Sequence, residues 1–195
     1  MPTIKNYLDA LGADTVSPGG GSAAALAAAL GTALVRMTAG LNIKRELKKT
    51  GKIDGRARRR LLALKKIVSQ FVRLMEEDAR AFNKISRFLK RGQKGSAAQR
   101  ALKEGIRVPL EICGLAERAS AMGTLEISRT SRWLASDLAE GGVLLASAFQ
   151  SARLNADINL RAVSDRGYAK KATRQLNRLQ KKVQSHRSKL LGALR

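Results

Sequence analysis

The chain has 195 residues, with 38 Lys+Arg against 15 Asp+Glu and a formal charge of +23. Hydrophobic residues make up 44% of it, too many for a disordered polycation, and the length suits one domain with a real core. A single cysteine, Cys113, and a single histidine, His186, exclude a disulfide framework and Cys- or His-rich metal clusters, and argue against a Ser-His-Asp triad.

Aromatic residues are only 4% of the chain, against 30 Ala and 27 Leu, so the core is aliphatic and small side chains let helices approach closely. With three prolines, long uninterrupted helices are possible. Thr3 caps a short helix, Ile4 to Leu11, that ends at Gly12. Asp14 to Gly21 is a loop broken by Pro18 and three glycines, after which Ser22 fits the N-cap of a long helix to about Ile43. Lys48 to Gly55 reads as a basic loop. The next helix, about Arg56 to Leu89, shows the clearest periodicity: Leu61, Leu64, Val68, Phe71, Met75, Asp78, Phe82, Ile85 and Leu89 alternate by three and four. A turn at Arg91 to Gly95 leads to a helix from Ser96 to about Ser120, its seam Leu102, Ile106, Cys113 and Ala116, kinked at Pro109. After a turn at Gly123, helices follow over about Ser131 to Ala156 and Tyr168 to Leu194, the last burying Ala172, Leu176, Leu179, Val183, Leu190 and Leu194. The expected fold is all-α, a single domain over residues 1–195: an up-and-down bundle of about five long helices plus the short N-terminal one. The N-terminus lacks an apolar signal core, and the Ala-rich run Gly19 to Ile43 contains Arg36, so a soluble cytoplasmic protein without a membrane partner is expected.

Three features carry chemistry. Asp78 occupies a seam position between Met75 and Phe82, where a carboxylate is desolvated unless a partner reaches it. Taken alone, a structural ion pair is the ordinary outcome for such a group. Pro18-Gly19-Gly20-Gly21-Ser22 lets the backbone turn sharply, and the free N–H groups of the following helix suit an anion or a carbonyl oxygen. It is neither a P-loop nor a dinucleotide fingerprint, since no Gly-Lys-Ser/Thr follows and no strand precedes. Asp137, Asn155 and Asn159 form the third set. Asp137 and Asn155 share a helix face with Gly141, Leu144 and Ala148 between them, but 18 residues span roughly 27 Å. They therefore serve opposite ends of a long ligand, or different sites joined by dimerisation, or the asparagines merely cap the helix. Cys113 reads as a small core residue and His186 as solvated.

Basic charge clusters in Lys44 to Lys66, net +9, and in Arg161 to Arg195, net +10. Such one-sided charge makes nucleic acid or another polyanion a candidate partner. The seven aromatics do not interleave with these runs, which argues against a base-stacking platform.

Ser17-Pro-Gly-Gly-Gly-Ser-Ala-Ala-Ala-Leu, Leu34-Val-Arg-Met37 and Leu41-Asn-Ile43 stand in order with Met75-Glu-Glu-Asp-Ala-Arg-Ala-Phe-Asn83, Val108-Pro-Leu-Glu111, Ser136-Asp137 and Leu154-Asn-Ala-Asp-Ile-Asn-Leu160. The ordered set resembles the formimidoyltetrahydrofolate cyclodeaminase and methenyltetrahydrofolate cyclohydrolase family. Two stretches differ from the family pattern: Lys44-Arg45-Glu46 stands where a Gly-Lys-Lys is usual, and Arg129-Thr-Ser-Arg-Trp133 where a Gly-Asn-Pro-Asn turn precedes Ser-Asp.

The resemblance implies a helical homodimer with folate near the glycine-rich loop, Asp78 and Asp137 as the acidic catalytic positions, and Asn155 and Asn159 as folate contacts. Pro18, Gly19, Gly20, Gly21, Ser22, Phe82 and Ser136 join the folate-binding positions, and Arg36 and Lys44 become candidates for its carboxylates. It implies chemistry on a one-carbon unit of tetrahydrofolate, with one aspartate moving a proton and no cofactor or metal beyond the substrate. The basic surface would attract a polyglutamate tail. Two rivals stand beside it: a non-catalytic polyanion-binding protein of the same fold, and a folate binder that has lost its proton donor.

Overall fold

A computed structural model describes residues 3–90 and 95–194 of the chain. Six α-helices carry the fold: α1 (Ile4–Leu11), α2 (Gly20–Thr50), α3 (Gly55–Lys90), α4 (Ser96–Thr124), α5 (Ala135–Ala162) and α6 (Arg166–Gly192). Two short 3-10 turns, Ile127–Arg129 and Arg132–Leu134, join α4 to α5. The bundle closes on itself: α2 and α4 each pack against both α3 and α5, and α6 packs on α4 and α5.

Small residues set the tightest contact. A Cβ added to Gly31 would lie 2.8 Å from the carbonyl oxygen of Gly141, so α2 and α5 meet nearly backbone to backbone. Gly20 lies beside Asn155 while Gly31 lies on Gly141, so the two helices run antiparallel. Ala24, Ala25, Ala28 and Ala39 on α2 are buried around that contact. By length and composition α2 is apolar enough to cross a membrane, yet this row of small residues is taken up by α3, α4 and α5.

On α3 the buried row is Leu64, Ile67, Phe71, Leu74, Ala81 and Ile85. The expected seam shares Leu64, Phe71 and Ile85 with it but strays between them: Leu61, Val68, Met75 and Asp78 are half-buried and Phe82 is exposed. A helix wedged between two neighbours buries a wide arc, so its pattern fits two rows one position apart. The side chain of Leu89 lies outside the described residues.

Helix ends depart from expectation for local reasons. The basic stretch after Ile43 is helical to Thr50, because Lys48 and Lys49 suit the negative end of the helix dipole. Gly51 then stops α2 in the left-handed conformation, φ 69°, its N–H donating to the Leu47 carbonyl at 2.8 Å. At the other end Gly19, not Ser22, is the N-cap. Helix α4 runs to Thr124, through Pro109. Helix α5 starts at Ala135 and continues to Ala162, so Asn155 and Asn159 lie inside a helix and do not cap one. Asp165 caps α6, accepting from the Tyr168 N–H at 2.9 Å, and α6 ends at Gly192 with Leu194 exposed. The expected turn at 91–94 lies outside the described residues, and Gly95 caps α4.

Cys113 is buried in the core, its Sγ 3.6 Å from the Phe149 carbonyl oxygen, and burial pushes its thiol up to about 12. His186 is not freely solvated: its side chain is 19% exposed and packs toward α4, with Nε2 3.7 Å from Glu117 Oε1.

Where α2 ends and the α4–α5 connection begins, a buried polar knot forms. Glu126, 1% exposed, receives Arg60 Nε on Oε1 at 3.0 Å and Asn42 Nδ2 on Oε2 at 3.1 Å. Asn42 also donates to Thr130 Oγ1, which donates to the Glu126 carbonyl at 2.7 Å. Beside it Arg129 pairs with Glu46 and Asp54, and Arg45 donates to the Arg129 carbonyl. The two stretches that differ from the family pattern are thus in contact with each other.

Candidate active site

The loop before α2 delivers three glycines to the bundle end at which α3 and α5 finish and α4 starts. With Gly19 as a cap lacking a side chain, the first amides of α2 have no capping oxygen of their own. Asp78 of α3 fills that gap. A Cβ on Gly21 would come within 2.6 Å of Asp78 Oδ2 and closer still to the rest of the carboxyl, so glycine is required there for space. Burial pushes the Asp78 carboxyl above its ordinary value, and the Ser22 backbone N–H opposes this only in part. Among the described residues no Lys, Arg or His side chain lies within ion-pair distance of it. The ordinary explanation for a carboxylate in a helix seam, a structural salt bridge, does not hold here.

A cavity of about 210 Å³ opens in front of this carboxyl. Gly19, Gly20 and Gly21 form one wall, Asp78 and Phe82 the next, and Asn155 and Asn159 of α5 the third. Asn155 lies over Gly20, and its Nδ2 donates to the Ser151 carbonyl at 3.1 Å. Asn159 Nδ2 reaches across to the Gly105 carbonyl of α4 at 3.4 Å. The rim is apolar and open to solvent: Val16, Phe82 and Ile158 are 68%, 41% and 65% exposed. Such a site combines backbone donors, amide groups, a desolvated carboxyl and apolar edges, which suits a flat, nitrogen-rich ring system.

The other expected residues lie elsewhere. Pro18 and Ser22 face a neighbouring apolar groove under α1, where Ser22 Oγ is 3.0 Å from the Tyr7 hydroxyl. The antiparallel register of α2 and α5 places Ser136 and Asp137 level with Arg36, far along the bundle from the cavity. Arg36 and Lys44 share a shallow groove between α2 and α3. Within one chain the structure therefore brings together Gly19, Gly20, Gly21, Asp78, Phe82, Asn155 and Asn159, and leaves Asp137, Ser136, Arg36 and Lys44 apart from them. Sequence reasoning missed Ile85, Gly105 and Ile158 in the lining. One signal for Gly105 was available: Pro109, four residues on, has no N–H for its carbonyl.

Known proteins resemble this chain in fold and in sequence. Formiminotetrahydrofolate cyclodeaminase from Thermotoga maritima superposes with a TM-score of 0.88 over 99% of this chain and 96% of its own, at 22% identity, which establishes the fold. A methenyltetrahydrofolate cyclohydrolase from Methylorubrum extorquens is 27% identical, over 91% of this chain and 88% of its own length. The formimidoyltransferase-cyclodeaminases of Dictyostelium discoideum and Mus musculus are 30% and 27% identical over 98% of this chain, which spans 36% and 37% of their lengths. The family model for formiminotransferase-cyclodeaminase matches residues 3–178, nearly the whole bundle and every wall of the cavity, and the chain belongs to that family.

Proposed function

We propose that the chain is an enzyme of tetrahydrofolate one-carbon chemistry, acting at the bridging carbon between N5 and N10 in the cavity at Asp78. The observation that carries this reading is a desolvated carboxyl without a cationic partner among the described residues, set against the first turn of α2 and facing an open cavity. In cyclodeamination, N10 attacks the formimino carbon held on N5 and the N10–H proton is lost. The former imino nitrogen is protonated and leaves as ammonia, closing the ring. A carboxyl that burial pushes above its ordinary value is better suited than a solvated one to give the proton to that nitrogen. The α2 amides and the two asparagines orient the pterin, and Phe82 offers its apolar face.

The hydrolytic direction is a second reading, favoured by the full-length match to the Methylorubrum cyclohydrolase. There water adds to the methenyl carbon while Asp78, as the carboxylate, takes its proton. The bond from that carbon to N5 then breaks, N5 receives the proton, and a formyl group is left on N10. Purified protein incubated with formimino- and with methenyltetrahydrofolate, followed by near-UV absorbance, separates the two. Absence of turnover and of binding with both compounds, from folded protein, overturns the enzymatic reading.

We infer further that the working unit is a homodimer. Asp137 and Asn155 share a face of α5 but lie roughly 27 Å apart, too far to serve one reacting centre. A two-fold axis crossing α5 midway, near Ser147, would lay the Asp137 end of one protomer against the Asn155 end of its partner. Exposed apolar side chains on that side, Leu30 and Met37 of α2 and Leu154 and Ile158 of α5, suit such burial. Mixing inactive Asp78→Asn and Asp137→Asn proteins is the test. Subunit exchange should restore about a quarter of wild-type activity if each site draws on both chains, and none if it does not.

A further inference from the structure

We propose that Pro109 is a positioning residue: it frees the Gly105 carbonyl to hold Asn159, and so fixes which end of that amide faces the cavity. This rests on the cavity being the folate site. In an uninterrupted helix the N–H of residue 109 would donate to the carbonyl of residue 105. Proline has no N–H, and its ring crowds that same carbonyl. Helix α4 nevertheless continues through Pro109, buried in the core, so the Gly105 oxygen lacks the donor four residues on that a regular helix gives it. The donor it does have is Asn159 Nδ2, at 3.4 Å from α5.

A carbonyl oxygen accepts and cannot donate, so only the NH2 end of Asn159 can face it. Oδ1 is then the end left for a ligand. Asn155 is held the same way round, its Nδ2 committed to the Ser151 carbonyl. The α5 wall therefore presents amide oxygens, whereas the α2 wall presents backbone N–H groups. The ligand this pattern selects carries N–H donors on the edge toward α5 and acceptors toward α2, as the amino-amide edge of a reduced pterin can supply. Gly105 completes the device: a Cβ there would overlap Ile85 Cδ1 and lie 3.4 Å from Asn159 Nδ2, so a larger residue would crowd the amide.

Pro109→Ala tests this, because alanine restores the N–H and continues the helix well. In folded P109A the new bond to Gly105 displaces Asn159, so the Asn159 side-chain amide signals in a ¹⁵N NMR spectrum should shift while those of Asn155 stay. KM for the folate derivative should rise about fivefold, the effect of one neutral hydrogen bond, with kcat within about twofold. In an Asn159→Ala background the Pro109→Ala change should have no further effect. Unmoved Asn159 signals, or a KM effect that persists undiminished without Asn159, overturns the proposal. Pro109→Ser restores the same N–H and takes the place of P109A should that variant misfold. If the wild-type protein turns over no folate, the NMR comparison still decides the role of Pro109.

Discussion

Two carboxyls at different levels of this bundle, Glu126 buried and Asp78 half-buried, are treated in opposite ways. Glu126 is wrapped by Arg60, Asn42 and Thr130, with every contact between 2.7 and 3.1 Å. Asp78 sits about 30 Å away along α2, the distance covered by the twenty residues from Ser22 to Asn42. Among the described residues it has a backbone amide and no cation, in a chain that carries 38 Lys and Arg. Supply of positive charge is therefore not what limits Asp78. The fold places a guanidinium group on the acid that ties helices together and none on the acid that faces the cavity, the pattern expected if the proposed site gives up stability for reactivity.

Exchanging each acid for its amide should break this comparison most sharply. Asp78→Asn should lower turnover by about 10²–10⁴-fold, the usual contribution of a positioned proton donor, while leaving the melting temperature unchanged or higher at neutral pH. Glu126→Gln should do the reverse. Breaking a buried pair costs about 3 kcal/mol, a fall in Tm of roughly 10 °C, while the protein still folded keeps its activity. Calorimetry and steady-state kinetics on the two variants decide it. Equal stability losses in both would mean that Asp78 is an ordinary structural group.

The adjacent glycines 20 and 21 sharpen the point by geometry. Gly21→Ala drives a methyl into the Asp78 carboxyl, whereas a Cβ on Gly20 makes an ordinary contact 3.7 Å from Asn155. We expect a loss of about 10²-fold in kcat/KM for Gly21→Ala, as for a misplaced catalytic group. Gly20→Ala should change it less than about threefold, because it only touches a neighbour. Similar losses in both would attribute the motif to loop flexibility.

Acid titration reads the same contrast more quietly. Asp78 has a folded-state value raised above its unfolded one of 3.8, so its ionisation favours the unfolded chain. Relative to Asp78→Asn, the wild type should therefore gain stability as pH falls through the raised value toward 3.8, and lose that gain as pH rises. Glu77 has the opposite sign: the Arg107 guanidinium holds its carboxyl below 4.5, and its contribution fades as pH falls. Because Glu77 is common to both proteins, the difference in Tm between wild type and D78N isolates Asp78. A flat difference across the acid range would show that burial does not shift it.

Much of this was legible in the sequence, for identifiable reasons. Leucine and alanine spacing gave five long helices, and the observed core row of α3 lies only one position from the expected seam, which passes through the half-buried Asp78. The glycine loop and the two late asparagines were visible as motifs, yet their meeting depends on α2 and α5 running antiparallel with Gly31 against Gly141, a tertiary fact. Glu126 was not visible at all. It lies in a connection between helices, where no periodicity marks a residue as buried, and its partners Asn42 and Arg60 come from α2 and α3. The joint departure of Glu46 and Arg129 from the family pattern becomes intelligible only once the two are seen as one ion pair.

The smallest effect expected separates two reasons for having glycine. Gly51 ends α2 with φ 69° and has open space where a Cβ would go, so its requirement is conformational alone. Gly51→Ala should cost about 1 kcal/mol of stability, the penalty of a left-handed alanine, and leave kcat and KM unchanged. Gly21 lies inside helix α2, outside the left-handed region, where alanine is otherwise the better residue. Any activity lost in Gly21→Ala beyond that seen in Gly51→Ala therefore measures displacement of Asp78 and not a general loosening of helix ends. A Gly51→Ala protein with impaired turnover would show instead that the two levels of the bundle are coupled, and that the knot around Glu126 shapes the cavity from a distance.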